Sequence, residues 1–220
     1  MPKPFPSVWK GFLPQRAIIM SRQPINNFLG CDSLEKIASD LYGCQRCKLC
    51  CTRNSIVIGD GHPQSSIVFI GEGPGEQEDL QGKPFVGKAG QLLDRMMAAI
   101  QLDRTQVYIA NVVKCRPPGN RNPEPDEIQA CSQFLNRQID LIQPKVIVAL
   151  GKFAAQTLLK TDERISNLRG KFYPYRSSKL MPTFHPAYLL RNPASKREAW
   201  SDLQQVAQEL GIEIPKRSIS

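Results

Sequence analysis

Short uninterrupted runs of apolar residues recur along this chain, and segments with helical spacing separate them. Four of the runs have the length and composition of strands covered on both faces of a sheet, namely residues 55–58, 66–70, 106–113 and 145–150. Residues 172–175 and 179–184 predict a later hairpin or pair of strands. These patterns place most of the apolar core of the protein in a sheet.

Five other segments carry apolar residues three or four positions apart, which is the spacing of one face of a helix. They cover residues 32–41, 89–100, 125–142, 151–159 and 195–210. Asp32 has a side chain suited to cap the first of these helices. Because strands and helices alternate, the sequence predicts a parallel α/β sheet in a single domain.

The first 31 residues show no sustained apolar period and are rich in proline, serine and asparagine. We expect residues 1–31 to form a flexible N-terminal extension. Met20 is an alternative start, and the sequence does not decide between the two. The predicted folded domain covers residues 32–211, and residues 212–220 form a C-terminal tail.

The chain has 220 residues and a formal net charge of +9 at pH 7. This balance favours a polyanionic partner, although a solvated basic surface is the simpler explanation. No apolar run approaches the roughly 18 residues that a membrane span needs, and prolines interrupt the N-terminus where a secretion signal would lie. The sequence therefore predicts a cytoplasmic protein with no membrane partner.

A turn rich in glycine follows the apolar run 66–70, and acidic residues follow the turn. Glycine lets a backbone approach a ligand closely because it carries no Cβ atom. In an open α/β sheet, ligands bind at the carboxyl ends of the strands, where this turn would lie. A plain connection between a strand and a helix is the alternative explanation of the same pattern.

Seven cysteines and only two histidines limit the metal chemistry that is open to the chain. Cys44 and Cys47 have the spacing of two ligands at one corner of a metal site, and Cys115 and Cys131 supply two more thiols. Four thiolates can enclose either a zinc ion or a [4Fe–4S] cluster. We interpret the remaining cysteines as reduced residues without a ligand role.

Several motifs, taken together and in this order, resemble the family-4 uracil-DNA glycosylases, the iron–sulfur type of bacteria and archaea. The motifs are Cys44-x-x-Cys47-x-Leu49, Gly71-Glu72-Gly73-Pro74-Gly75-Glu76-x-Glu78-Asp79, Gly82-Lys83-Pro84-Phe85-Val86-Gly87-Lys88-Ala89-Gly90-Gln91-Leu92-Leu93, Asn111-Val112-Val113-Lys114-Cys115-Arg116-Pro117-Pro118-x-Asn120-Arg121, Cys131, and His185-Pro186-Ala187-Tyr188-Leu189-Leu190-Arg191-Asn192-Pro193. They extend over about residues 32–211.

The resemblance implies a three-layer α/β/α domain around a central, mostly parallel four-stranded sheet. It implies that Cys44, Cys47, Cys115 and Cys131 hold a [4Fe–4S] cluster with a structural role. The implied substrate is deoxyuridine in double- or single-stranded DNA. Hydrolysis of its N-glycosidic bond would release uracil and leave an abasic site for base excision repair. A monomer is the default state of such enzymes.

Three residues are expected to bind the uracil after it has swung out of the DNA. Phe85 would stack on the base, and Asn111 would accept from N3–H and donate to O4. His185 would donate a hydrogen bond to O2, where negative charge gathers as the base leaves. The structural alternatives are a core phenylalanine, a turn-forming asparagine and a hydrogen-bonded histidine.

The water that attacks the sugar also needs an orienting group. Family-1 glycosylases carry an aspartate and a tyrosine in the corresponding turn, where this chain has Gly73 and Gly75. Glu72 and Glu78 are the candidate carboxylates, and Glu72 and Gly73 are candidates to contact the substrate through their backbone. The sequence assigns no sole general base and does not explain how thymine is excluded.

Four residues beside these motifs are candidates for contacts to DNA. Arg116 and Arg121 would bind phosphates, which would make binding sensitive to salt. Leu190 and Arg191, in a predicted loop, would fill the gap left by the flipped base or hold the flanking phosphates. Each of the four is also compatible with an ordinary solvated surface.

Two other functions fit the same sequence. One is a protein that binds uracil-DNA without turnover, as does a relative of the family that attaches itself to DNA through a histidine. This chain has no histidine between residues 160 and 175, and it has Cys115 where that relative has another histidine. The other is a zinc-stabilised DNA-binding module without enzymatic activity.

Overall fold

A computed structural model describes residues 32–214 of the chain. The predictions for residues 1–31, including the alternative start at Met20, and for residues 215–220 of the tail lie outside the described residues. Within residues 32–214, no helix is long and apolar enough to cross a membrane.

A six-stranded sheet forms the centre of the protein, with the strand order β1-β3-β2-β4-β6-β5. Its strands are β1 (Asp60–Gly61), β2 (Ile67–Gly71), β3 (Tyr108–Asn111), β4 (Val146–Leu150), β5 (Tyr173–Tyr175) and β6 (Ser178–Thr183). The four inner strands β3, β2, β4 and β6 are parallel, and the short edge strands β1 and β5 pair antiparallel. The mostly parallel sheet predicted for this fold is confirmed, with two short edge strands in addition.

Eight helices are formed by the described residues. They are α1 (Leu34–Leu41), α2 (Glu76–Gln81), α3 (Lys88–Ala99), α4 (Pro125–Ile142), α5 (Lys152–Leu159), α6 (Ile165–Leu168), α7 (Pro186–Arg191) and α8 (Lys196–Leu210). The short helices α2, α6 and α7 were not predicted, because four to six residues are too few to establish a helical period. Leu190 and Arg191 therefore end a helix and do not lie in a loop.

Two apolar clusters cover the two faces of the sheet. On one face, α1, α4 and α5 pack against side chains such as Ile70 and Ile147. On the other face, α3, α7 and α8 pack against side chains such as Phe69 and Val148. The result is the three-layer α/β/α architecture that the resemblance implied.

Two local predictions at the N-terminal side of the domain are wrong. Ser33, and not Asp32, caps α1, because its Oγ accepts a hydrogen bond from the Lys36 N–H at 3.1 Å. Residues 55–58 do not form a strand. The buried carboxylate of Asp79 accepts hydrogen bonds from the N–H groups of Asn54 and Ser55, so a side chain binds the backbone where a ladder was expected to begin.

Candidate active site and four-cysteine site

The carboxyl ends of the inner strands meet at one edge of the sheet and form a cavity of about 1140 Å³. All six residues predicted to act in catalysis or base binding line it, which the sequence could not show. They are Glu72, Gly73, Glu78, Phe85, Asn111 and His185. Parallel strands carry these residues to the same edge although up to 113 positions separate them, from 72 to 185.

Phe85 lies in the loop between α2 and α3, and its side chain is 6% exposed. Its ring centroid is 5.7 Å from that of His185, with 31° between the ring planes. Gly71 makes room for this ring, because a Cβ at Gly71 would lie 2.5 Å from Phe85 Cζ and 2.4 Å from Asn111 Oδ1. The end of β2 must therefore be glycine for Phe85 and Asn111 to occupy these positions.

Asn111 is the last residue of β3, and its side chain is buried. Its Oδ1 atom is the one buried side-chain oxygen or nitrogen among residues 32–214 that has no hydrogen-bond partner. A buried polar atom without a partner costs about 1–3 kcal/mol, so native structures leave few of them. Asn111 also lines the cavity, so this acceptor is a candidate partner for a ligand there.

His185 caps α7, and its Nδ1 accepts a hydrogen bond from the Ala187 N–H at 3.1 Å. The proton of the neutral ring is therefore on Nε2, which remains free to donate. Burial, reinforced by the nearby positive charge of Arg191 and opposed by Glu78, lowers the pKa of His185 to about 4. The ring is neutral at physiological pH and presents one N–H donor.

The two candidate carboxylates lie in different environments. Glu72 lines the cavity, burial raises its pKa to about 7, and within the described part of the chain its carboxylate makes no hydrogen bond. Glu78 accepts hydrogen bonds from the N–H groups of Gly75 (3.1 Å), Val86 (2.8 Å) and Gly87 (2.8 Å). Glu78 therefore holds the loop that carries Phe85, and Glu72 is the carboxylate with free lone pairs.

The four residues predicted to contact DNA are not equivalent. Arg121 lines the cavity, but its guanidinium forms a two-bond ion pair with the buried carboxylate of Glu127, at 2.6 and 2.9 Å. Arg116 donates to Asn120 Oδ1 at 2.8 Å. Arg191 is exposed and lines the cavity, and Leu190 is 40% exposed beside it. Arg191 is therefore the one of the four that lines the cavity and forms no ion pair among the described residues, while Leu190 is an exposed neighbour on α7 that does not line it.

Sequence reasoning missed three features of the cavity. Gly151, after β4, has φ +87° and touches His185, because a Cβ there would lie 2.8 Å from His185 Cβ. Phe184 and Tyr188 stack at 5.0 Å between centroids. The signals were present, since Gly151 ends an apolar run at the same edge and residues 184 and 188 have helical spacing.

The four cysteines predicted as ligands line one small cavity between α1, α4 and the segment after β3. Two come from the loop after α1, Cys115 follows β3, and Cys131 lies on α4. Three N–H donors point at their sulfur atoms. The Lys114 amide is 3.3 Å from Cys131 Sγ, Arg53 Nη1 is 3.5 Å from Cys115 Sγ, and Arg46 Nη1 is 3.7 Å from Cys44 Sγ.

A fully buried ammonium group, that of Lys114, lies beside the four thiols and bears on whether they fit a negatively charged group. It donates to the Asn111 carbonyl at 2.8 Å and to Gln138 Oε1 at 2.6 Å, but no carboxylate pairs with it among residues 32–214. A buried charge needs a counter-charge, and four thiolates around a cluster would supply one. The donors and the charge fit such a group.

The thiols are protonated in the absence of a bound group. Burial raises the pKa of Cys115 to about 12 and also raises those of Cys47 and Cys131, so without a metal these residues are neutral thiols. Within residues 32–214, no group of three or more histidine, cysteine or acidic side chains has an arrangement that would hold a metal ion as it stands.

A comparison with known families matches residues 58–204 to the uracil DNA glycosylase superfamily. A type-4 uracil-DNA glycosylase of Sulfurisphaera tokodaii is 47% identical over 195 residues, covering 84% of this chain and 88% of the relative. Those of Saccharolobus solfataricus and Archaeoglobus fulgidus are 45% and 42% identical. They cover 81% and 84% of this chain, and 87% and 96% of the relatives.

The three-layer fold, its strand-end cavity and the family match define the class of the protein: the chain belongs to the uracil-DNA glycosylase superfamily. Within the superfamily it is grouped with the type-4 enzymes, to which it is 42–47% identical over most of its length. The family predicted from the motifs is thereby confirmed.

Proposed function

We propose that this protein excises uracil from DNA by hydrolysing the N-glycosidic bond, and leaves an abasic site for base excision repair. The observation that carries the proposal is Asn111, which lines the cavity and whose buried Oδ1 has no hydrogen-bond partner among residues 32–214. This acceptor matches the N3–H donor of uracil. Cytosine presents an acceptor at the same position of its ring, so the site would reject it.

Base binding in the cavity would use the contacts already described. The Phe85 ring stacks on one face of the flipped base, at a cost to the DNA of about a few kcal/mol for unstacking. Asn111 accepts from N3–H and donates from Nδ2 to O4. Gly71 leaves room for Phe85 and Asn111, and Gly73 packs closely on Val113, where a Cβ would lie 2.8 Å from Val113 Cγ2.

Cleavage of the C1′–N1 bond leaves negative charge on the departing uracil. The Nε2–H of neutral His185 donates to O2, where much of that charge resides. A neutral donor stabilises the anion without having to lose a proton, so the low pKa of His185 suits this role. A sugar cation that forms first needs only an oriented water molecule.

We assign the orientation of that water to Glu72 rather than Glu78. Its carboxylate lines the cavity and has free lone pairs, whereas three backbone N–H groups occupy Glu78. A group with a pKa near 7 is also well matched to accepting a proton at neutral pH. Glu78 then acts by holding the Phe85 loop.

A pH profile tests the role of Glu72. Its raised pKa means that the proton stays on until about pH 7, so kcat/KM for uracil excision should rise with pH and level off above about 7. In Glu72→Gln the rise should disappear and activity should fall by about 10²-fold. The exposed Glu76→Gln should keep the wild-type profile, and an unchanged profile in Glu72→Gln would refute the assignment.

For the contacts to DNA, α7 ends in the exposed Leu190 and in Arg191, which lines the cavity. We propose that Arg191 holds a phosphate next to the flipped nucleotide and that Leu190 enters the space it leaves. Arg116 and Arg121 would add further phosphate contacts. The excess positive charge of the chain would let it bind both double- and single-stranded DNA.

The cofactor we propose for the four-cysteine site is a [4Fe–4S] cluster, held by Cys44, Cys47, Cys115 and Cys131. The cluster would link α4 to the loop after α1 and to the segment after β3 through bonds to the cysteine sulfurs. No step of the reaction passes through it. The N–H donors at the sulfur atoms and the buried ammonium group of Lys114 support a negatively charged group at this site.

Replacing one predicted ligand tests this site. We expect Cys115→Ser to lower the iron content from about four atoms per chain to below one, and to reduce visible absorbance and folded yield. Cys51→Ser, which changes an exposed thiol, should leave all three unchanged. A Cys115→Ser protein with full iron would remove Cys115 as a ligand, and zinc in place of iron would identify the other metal.

We also propose that the protein acts as a monomer in the cytoplasm. The six described cysteines carry free thiols, which is typical of proteins in reducing compartments. Size-exclusion chromatography of the anaerobically purified chain would check the first point. A dimer peak that persists on dilution would contradict it.

The central test of function is a cleavage assay on an end-labelled oligonucleotide with one uracil. After incubation with anaerobically purified protein, alkali should cut the strand at uracil but not at a matched thymine. A DNA adduct that survives denaturation would instead indicate covalent capture. Binding without cleavage by protein with intact iron–sulfur absorbance would indicate a binding module.

A further inference from the structure

Phe85 has an unusual backbone conformation for its residue type. Its φ is +53°, in the left-handed region that side chains other than glycine seldom adopt. Such a conformation persists only when the surrounding contacts enforce it, and it often occurs at functional sites. Polar contacts to the backbone of the loop enforce it here, in addition to the packing of the buried ring.

Arg104 supplies one set of these contacts from the turn between α3 and β3. Its Nη1 donates to the Pro84 carbonyl at 3.1 Å, its Nη2 donates to the Phe85 carbonyl, and its Nε donates to Asp94 Oδ1 at 2.7 Å. A planar guanidinium holds its donors in a fixed geometry that suits two adjacent carbonyls and a carboxylate at once, whereas the donors of an ammonium group rotate on a flexible side chain.

The loop is also held on its other side. Glu78 Oε1 accepts from the N–H groups of Val86 and Gly87, immediately after Phe85. Gly90 of α3 lets the Phe85 carbonyl approach, because a Cβ at Gly90 would lie 1.7 Å from that oxygen. Arg104 therefore fixes the carbonyl groups of the loop, and Glu78 fixes the N–H groups that follow Phe85. Phe85 is left little freedom to rotate away from the cavity.

We infer that Arg104 is a positioning residue for base recognition, which acts on uracil only through the orientation of Phe85. Arg104 does not line the cavity and touches no residue of the proposed chemistry other than this loop. The expected effect of Arg104 on uracil excision rests on the proposed function. The structural part of the inference, that Arg104 holds the loop 82–90 in place, does not depend on that function.

A double-mutant cycle between Arg104→Met and Phe85→Leu tests the catalytic part. We expect Arg104→Met alone to lower kcat/KM for uracil excision by about ten- to a hundred-fold, the size expected for a misplaced binding group. In the Phe85→Leu background the same change should cost less than about threefold, because the group it positions is already absent. Arg104→Lys should be intermediate.

Arg137→Met is the matched control for removing an ion-paired arginine. Arg137 is 29% exposed and Arg104 is 30% exposed, and Arg137 pairs with Asp32 and Asp40 far from the cavity. It should lower the midpoint of urea denaturation without changing kcat/KM. An equal loss from Arg104→Met in both backgrounds, or none in either, would overturn the inference.

Hydrogen exchange supplies a readout that does not depend on activity. In Arg104→Met, amides of residues 82–90 should exchange faster than in the wild type, while Arg137→Met should leave this peptide unchanged. Wild-type protein that does not cleave uracil-DNA would refute the proposed function. The exchange measurement would still show whether Arg104 holds the loop 82–90 in place. Unchanged exchange at residues 82–90 in Arg104→Met would refute that structural role.

Discussion

Replacing His185 by alanine is expected to lower the rate of uracil excision by about 10³-fold, the upper range for loss of one donor to a developing anion. The donor is defined by the fold, because the Ala187 N–H occupies Nδ1 at 3.1 Å and leaves the proton on Nε2. A single-turnover assay with excess enzyme would measure the chemical step directly.

His62→Ala is the matched control for this prediction. His62 also accepts a hydrogen bond at Nδ1 from the N–H two residues later, at 3.1 Å, but it is exposed and does not line the cavity. It should leave the rate unchanged. A His185→Ala protein that retains more than about a tenth of the wild-type rate would contradict the anion-stabilising role.

Changing pH gives a second check on His185. Because burial depresses its pKa from 6.5 to about 4, the unfolded chain binds a proton in this range before the folded protein does. The stability that His185 contributes is therefore present above pH 6.5 and is lost as the pH falls towards 4. His185→Ala should show a smaller loss of stability over the same interval, measured by urea denaturation.

Replacing Asn111 by aspartate is expected to lower kcat/KM for uracil by about 10³-fold or more, since sites that read a hydrogen-bonding pattern discriminate strongly. The substitution conserves the volume of the side chain, but the amide group that donates to O4 is replaced by a carboxylate oxygen. That oxygen and the uracil O4 are both acceptors and cannot form a hydrogen bond with each other. Oligonucleotides with a single uracil or a single cytosine, assayed in parallel, would show whether the reading of the base has changed.

Asn136→Asp provides the control for adding a carboxylate to the protein. Asn136 lies on α4 and does not line the cavity, so its replacement should leave kcat/KM unchanged. Urea denaturation of both variants would separate loss of recognition from loss of folding. An Asn111→Asp protein that is folded and cleaves uracil at the wild-type rate would refute the proposed base contact.

Much of the fold followed from local sequence, and an error arose where a distant residue contacts the backbone. The inner strands and the long helices were predicted, because apolar runs and helical spacing are visible over five or more residues. Residues 55–58 do not form a strand, and the N–H group of Ser55 binds the side chain of Asp79, which is more than 20 positions away. Contacts of that range leave no periodic signal.

The candidate site was predicted as a set of residues but not as an arrangement. The motifs named Glu72 and Glu78 together, and only the hydrogen bonds of Glu78 to three backbone amides separate their roles. Arg121 was predicted to bind phosphate, and its buried partner Glu127 shows that it also holds the start of α4. Arg104 was not singled out by any motif.

The sequence by itself determined the inner strands, the long helices, the four candidate thiol ligands and the family. These depend on residue type and spacing, which the chain carries wherever it folds. The tertiary structure alone decided that Asn111 Oδ1 lacks a partner, that His185 presents Nε2–H, and that Glu72 keeps its carboxylate free. Burial and hydrogen bonding set these properties, and both arise from residues that meet only after the sheet has formed.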